Sequence, residues 1–287
     1  MSTHVLLFDQ YTIIGSHGLS TEISILYKFD NLVSAIPTAY FTKCERSQTT
    51  SCYPLETREM QEILLKMDKN DLTNFTHVCI GYLHDNEQIE YIAHLLETRF
   101  AACEVFYFPS FASNTSKPFM MKLLRKIMSK SKKTCLNETS FNLLKSSLPK
   151  NLDDVSASLK SMMKMLPSFV CEELIISASS VVPDATVAFL CTRKNHVYEV
   201  SEIQLARNPI LNSFNEIAAI VYFCWRLKNH SPVDSFSYAI SSMHSYSSAK
   251  SVSSITSHDC YFDAKHLKTI IDEDTQDSLL LSSRVVL

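Results

Sequence analysis

Val5-Leu-Leu-Phe-Asp-Gln-Tyr-Thr-Ile-Ile-Gly15-Ser-His-Gly18 is the stretch that decides how the rest of the chain is read. Its first four residues are apolar without alternation. That is the pattern of a strand covered on both faces, as in a parallel sheet flanked by helices. Two glycines three apart follow. They stand out because the 287 residues contain only Gly15, Gly18 and Gly81, where a typical chain is about 7% glycine. Glycine allows positive φ and close approach of backbone to an anion, so a chain this poor in it has few places to build a phosphate-binding loop.

Working outward, short apolar runs rich in β-branched and aromatic residues recur at 4–8, 32–37, 77–81, 104–108, 133–137, 173–178, 187–193 and 196–203. Each reads as a strand. Between them, 19–30, 55–68, 86–100, 118–129, 153–166, 213–228 and 233–250 carry helical spacing. In 86–100, Ile89, Ile92, Ala93 and Leu96 share one face, and Glu87, Glu90, His94 and Glu97 lie opposite. Alternation of this kind predicts an α/β fold with a mostly parallel central sheet and helices on both faces. The runs 187–193 and 196–203, joined by Lys194-Asn195, predict a hairpin at a sheet edge. No Pro- or Gly-rich linker divides the chain, so a single domain over 1–287 is expected. The Ser-rich 235–257 keeps Phe236, Ile240, Met243 and Tyr246 at helical spacing and reads as a poor helix.

Composition narrows the function classes. Twenty-seven basic against 30 acidic residues leave a formal charge of -3, which offers no field to draw nucleic acid or a membrane surface. No basic leader precedes 5–8 and no run approaches the length of a membrane span, so a cytosolic protein is expected. Nine cysteines without a CxxC pair predict buried thiols rather than disulfides or zinc ligands. The ten histidines show no HxxxH or HExxH, and there is no P-loop, G-x-G-x-x-G or G-x-S-x-G. Two further segments draw notice. Lys122-Leu-Leu-Arg-Lys-Ile-Met-Ser-Lys-Ser-Lys-Lys133 could dock an acidic partner or form a solvated helix face, and Met162-Met-Lys-Met165 could form a sticky interface or core.

The opening segment resembles the first strand and turn of pyridoxal kinases, whose pattern is close to Ser-His-Val-x-x-Gly-x-x-Gly. Further similarities follow in order: Thr38-Ala-Tyr-Phe-Thr42, Cys79-Ile-Gly-Tyr-Leu-His-Asp85, Leu136-Asn-Glu-Thr-Ser-Phe-Asn-Leu-Leu144, Glu216-Ile-Ala-Ala-Ile-Val-Tyr-Phe-Cys-Trp225 and the closing Arg284-Val-Val-Leu287. The resemblance implies a ribokinase-like three-layer sandwich. It also implies a dimer, either with itself or with a related kinase chain, and an activity that moves the ATP γ-phosphate to the 5′-hydroxyl of pyridoxal, pyridoxine or pyridoxamine with a divalent ion.

Residue by residue, it implies vitamin contacts at Gln10, Phe41, Glu45 and Tyr82, nucleotide contacts at Asn137, Ser177, Ser179, Ser213 and Asn215, and a base at Glu216. The chain departs from the family where phosphate is handled. Ser213-Phe-Asn-Glu216 stands for Gly-Thr-Gly-Asp, so side chains occupy the positions whose bare amides would hold the phosphoryl group. Glu216 keeps a carboxylate with one extra methylene, while Ser213 and Glu216 also match a helix capping box. Phe108-Pro-Ser-Phe-Ala-Ser113 stands for Asp-Pro-x-x-Gly-Asp, and Ser140 stands for the acid of Asn-x-x-Glu, so no metal ligand is assigned. The expectation is therefore a catalytically degenerate binding or regulatory subunit that needs no cofactor. The alternative is a divergent but active kinase that uses ATP and magnesium.

Overall fold

The computed structural model describes residues 3–14, 18–43, 51–69, 74–111, 116–145, 171–182, 185–194, 197–206, 214–251 and 282–283. They fall into two compact units, the first within 1–127 and the second within 128–254 together with the carboxyl-terminal strand.

The first unit is built on β1 (His4–Ile14), α1 (Leu19–Lys28), β2 (Leu32–Lys43), β3 (Cys52–Pro54), α2 (Thr57–Lys69), β4 (His77–Ile80), α3 (Asn86–Glu97), β5 (Glu104–Tyr107) and α4 (Lys117–Met128). Its strand order is β5-β4-β1-β2-β3. Pairing is parallel except where β3 runs back along β2. Val5, Leu6, Leu7 and Phe8 are all fully buried, as their unbroken apolar run requires. Ile25 and Leu26 of α1 are fully buried as well, and α1 packs on β1 and β2.

Both β1 and β2 outrun their expected ends at 8 and 37. After an irregularity at Asp9/Gln10 they stay paired out to Ile14 and Lys43. These arms expose Tyr11, Ile13, Ile14 and Tyr40, so the apolar pattern expected of a buried strand fades there although the pairing continues.

The helix termini follow capping chemistry. Asp85 accepts from the Gln88 amide at 2.9 Å at the start of α3. Gly18 opens α1 with φ 65 and takes the Thr21 and Glu22 amides on its carbonyl. The basic helix face that could have met an acidic partner meets one at home, because Lys122 and Lys126 both pair with Glu90 of α3, Lys122 at 3.1 Å. Those two lysines, Lys126 first, hold the Glu90 carboxyl below its ordinary range.

The second unit contains β6 (Lys133–Leu136), α5 (Glu138–Lys145), β7 (Glu173–Val182), β8 (Ala185–Lys194), β9 (Val197–Ala206), α6 (Phe214–Leu227), α7 (Pro232–Ser251) and β10 (Ser282–Ser283). Its order is β10-β9-β8-β7-β6. Here β6 and β7 are parallel and the remaining pairs antiparallel. The expected hairpin of β8 and β9 is present, although β10 flanks β9, so β9 is not the outermost strand. A helix at 138–145 was not expected from the sequence. It forms because Asn137 accepts the Ser140 amide at 2.8 Å and caps it.

Across this unit, Glu173 on β7 receives Arg226 Nη2 at 2.7 Å and the Tyr222 hydroxyl at 2.5 Å, tying α6 to the sheet. The Ser-rich segment is helical as α7 through Ser251. The expected helix 153–166, with its methionine cluster, and the tail beyond 283 lie outside the described residues. Among the described residues no helix is long and apolar enough to cross a membrane.

Candidate functional site

In an open parallel sheet, ligands bind beyond the carboxyl ends of strands where the chain order reverses. In the first unit that point lies between β1 and β4, because β1 leads to β2 on one side while β4 leads to β5 on the other. Asp9 sits there, fully buried at the end of the apolar run. Its Oδ1 accepts the Gln10 and Tyr82 amides, each at 2.7 Å, and so clips the ends of the two strands together. Gly81 makes the approach feasible. A Cβ on residue 81 would lie 2.4 Å from the Asp9 carboxyl carbon. Gly18 plays a similar part, since its Cβ would meet the Gln10 carbonyl oxygen at 2.2 Å and its φ is left-handed.

Beside this clip stands an aromatic pair. Phe41 from β2 and Tyr82 from the β4–α3 connection meet edge to face, with centroids 5.3 Å apart and planes at 84°. Ala39 completes the cluster and Cys52 of β3 packs against it. The surrounding backbone is held by side chains. Thr38 donates its hydroxyl to the Tyr82 carbonyl at 2.7 Å. Gln88, fully buried in the first turn of α3, donates to the carbonyls of Thr38 at 2.9 Å and Leu55 at 2.7 Å, and accepts the His84 amide at 2.8 Å. His84 Nδ1 in turn faces the Tyr82 hydroxyl at 3.0 Å and Cys52 Sγ at 3.7 Å.

Of the vitamin contacts expected from sequence, Phe41 and Tyr82 are thus brought together. Gln10 lies on β1 immediately after the irregularity, 4% exposed. Glu45 lies outside the described residues. In the second unit, Asn137 caps α5, and Ser177 and Ser179 lie along β7, with Ser177 in register with Ala188. Asn215 and Glu216 fall in the first turn of α6. Ser213, which immediately precedes that helix, lies outside the described residues.

The sequence reading passed over Asp9, Thr38, His84 and Gln88. Two of them left a signal. Asp9 is a carboxylate ending a fully apolar parallel strand, where an acid has to find internal donors. Gln88 lies four residues before Ile92, on the stripe that α3 buries.

Two described stretches on the expected nucleotide side supply no free carboxylate for magnesium. Past the end of β5 the chain presents Phe108, Pro109 and Ser110, all buried. The side-chain oxygen of Asn137 is engaged by a helix amide. Magnesium in phosphate-transfer sites is usually held by one or two carboxylates, and among the described residues no group of three or more His, Cys, Asp or Glu side chains could hold a metal ion.

No protein-family model matches the sequence, and no curated protein matches it. Solved structures do. A protein of Bacteroides thetaiotaomicron assigned as a phosphomethylpyrimidine kinase, crystallised with pyridoxal, superposes with a TM-score of 0.80 at 17% identity, covering 100% of both chains. Pyridoxal kinase from Entamoeba histolytica gives 0.81 at 12% identity, over 99% of this chain and 100% of its own. Pyridoxal kinase from Leishmania donovani, in complex with ADP and ginkgotoxin, gives 0.79 at 12% identity over 98% of each. The chain therefore has the pyridoxal-kinase-like, ribokinase-like α/β fold.

Proposed function

We propose that this chain is a pyridoxal-kinase-like protein that holds a flat, pyridoxal-sized aromatic ring beside Phe41 and Tyr82 and does not transfer phosphate at an enzyme's rate. The observation that carries the reading is the edge-to-face pair of Phe41 and Tyr82, fixed at a strand-order reversal by the Asp9, Thr38 and Gln88 hydrogen bonds. Solved structures of the same fold contain pyridoxal or pyridoxamine together with the kinase plan, and ring stacking against aromatic side chains suits a pyridine. Against turnover stand Phe214 and Asn215, where the family's phosphate loop has Thr and Gly, and the poor fit of the donor set to magnesium.

On this reading the protein acts as a binding or regulatory subunit in the cytosol. It forms one ribokinase-like domain and pairs with itself or with a related kinase chain, and it needs neither ATP nor magnesium to do so. A second reading keeps an active kinase. Glu216 lies in the first turn of α6, where a carboxylate in register with the family's base could take the proton of the 5′-hydroxyl. Ser177, Ser179, Asn137 and Asn215 would then face nucleotide.

Two measurements separate the readings. Pyridoxal should raise the melting temperature of the purified chain, while incubation with pyridoxal, ATP and magnesium should give no product near the usual range of about 1–10³ per second. Turnover in that range that Glu216→Ala abolishes and Glu216→Asp preserves establishes the second reading and removes the first. A melting temperature unchanged by pyridoxal, its phosphate and ATP removes both.

A further inference from the structure

Gln10 follows the irregularity in β1 and is 4% exposed, yet its side-chain oxygen Oε1 has no hydrogen-bond partner among the described residues. A buried amide oxygen without a donor is destabilising, and such groups are few in native proteins. The register places it at the ring site. Gln10 pairs with Ala39 and Thr12 with Phe41, and paired residues of adjacent strands point to the same face. Burial follows the same alternation. Gln10, Thr12, Ala39 and Phe41 are buried, whereas Tyr11 and Tyr40, whose ring centroids lie 6.2 Å apart, are exposed on the other face. Gln10 therefore shares its face with the cluster of Ala39, Phe41 and Tyr82. Its backbone is pinned beside that of Tyr82, since both amides donate to Asp9 Oδ1. Gly18 leaves room for the side chain, because a Cβ there would lie 3.0 Å from Gln10 Cγ. The neighbouring polar side chains are spent on the framework: Thr38 on the Tyr82 carbonyl, and Gln88 on two carbonyls and an amide. Gln10 Oε1 is not.

We propose that Gln10 sets the class of ring this site takes: a flat heterocycle carrying an N–H donor beside an acceptor on its rim, the cis-amide edge of a pyridone or pyrimidinone. Oε1 accepts the ring N–H and Nε2 donates to the adjoining carbonyl, the paired geometry by which glutamine reads the edge of adenine. A neutral pyridine nitrogen is an acceptor and would leave Oε1 opposed by a lone pair. The inference rests on the ring-binding reading and narrows it from ring shape to ligand chemistry.

The test compares two isomers, 6-methyl-2-pyridone and 1-methyl-2-pyridone, on the purified full-length chain by ligand-observed NMR titration. They match in size and ring and differ in the N–H, which methylation at nitrogen removes. The 6-methyl isomer should bind about tenfold more tightly, the scale of one hydrogen bond to a buried acceptor. Gln10→Met, which keeps the length of the side chain without its polar atoms, should bind the two alike. Equal affinities in the parent chain, or a preference that Gln10→Met retains, overturn the proposal, and the first comparison needs no variant to fold. If pyridoxal raises the melting temperature while neither isomer binds, the proposal falls and the ring-binding reading stands. If none of the three binds, both fall.

Discussion

Gln88→Ala is the substitution on which the candidate site can be judged most directly. Gln88 is fully buried and its amide spans three backbone groups from three separate segments: the Thr38 carbonyl of β2, the Leu55 carbonyl before α2 and the His84 amide before α3. Truncation does not strand all three. The Thr38 carbonyl keeps the Leu55 amide at 3.0 Å. The Leu55 carbonyl and the His84 amide lose the bond Gln88 gave them. At about 1–3 kcal/mol for each stranded group, less where water can enter beside half-buried His84, the expected cost is about 2–4 kcal/mol. Gln88→Glu should not rescue it, because a carboxylate can still accept the His84 amide but would face two carbonyl oxygens. Urea denaturation at pH 7 reads the loss as a lower midpoint with an unchanged slope. The control is Glu87→Ala, an exposed neighbour in the same helical turn, expected within about 0.5 kcal/mol of the parent. If Gln88→Ala and Glu87→Ala unfold alike, the three segments are not held by this side chain and the account of the site fails.

Three further outcomes follow from the same contacts. Glu173→Ala removes the carboxylate facing the half-buried Arg226 guanidinium and the Tyr222 hydroxyl and should cost about 3–5 kcal/mol. Replacing Glu173 and Arg226 together by methionine should cost less than either single loss, as a double-mutant cycle in urea would record. The buried thiols make the fold sensitive to alkali. Burial raises Cys135, Cys171 and Cys191 from 9.0 to about 12, so above pH 9 the unfolded chain sheds protons that the folded chain retains. Stability is fully present below pH 9 and falls as pH rises toward 12, by about 1.4 kcal/mol per pH unit for each thiol. Urea midpoints measured from pH 8 to 10.5 should show the decline, and Cys191→Ala should make it shallower. Gly81→Ala forces a methyl group against Asp9 at 2.4 Å and should cost about 1–3 kcal/mol. The same change made in an Asp9→Ala background should cost clearly less.

What the sequence reveals and conceals here has one physical origin. The strand cores were legible because burial on both faces leaves a run such as 5–8 with no polar residue, and α3 was legible because a helix must repeat its apolar contacts every turn. The arms of β1 and β2 were not, since Thr12 and Ile14 pair with a segment about 30 residues later, while Tyr11, Ile13 and Ile14 are exposed. Three-residue β3 is too short for any period, and α5 depends on a single cap from Asn137. The site divides in the same way. Phe41 and Tyr82 could be picked out because motif order places them at strand ends. Asp9 and Gln88 could not be assigned partners, because those partners lie 73 residues away for Asp9 and 50 and 33 away for Gln88. A polar side chain in an apolar run announces that it must be satisfied, but only the fold says by what.

That division bears on function. The hydrogen bonds described above that position the aromatic pair, from Tyr82 to Asp9, Thr38 to Tyr82, Gln88 to Thr38 and His84 to Gln88, close within the first unit. On the proposed reading, Ser213 and Asn215 stand where the family's phosphate loop has glycine, and neither residue belongs to the Asp9–Gln88 framework. On that proposal, ring binding and phosphoryl transfer are separable. A lineage that abandoned the second would meet no structural pressure to give up the first, which is why retention of a ligand without turnover is the reading this framework favours.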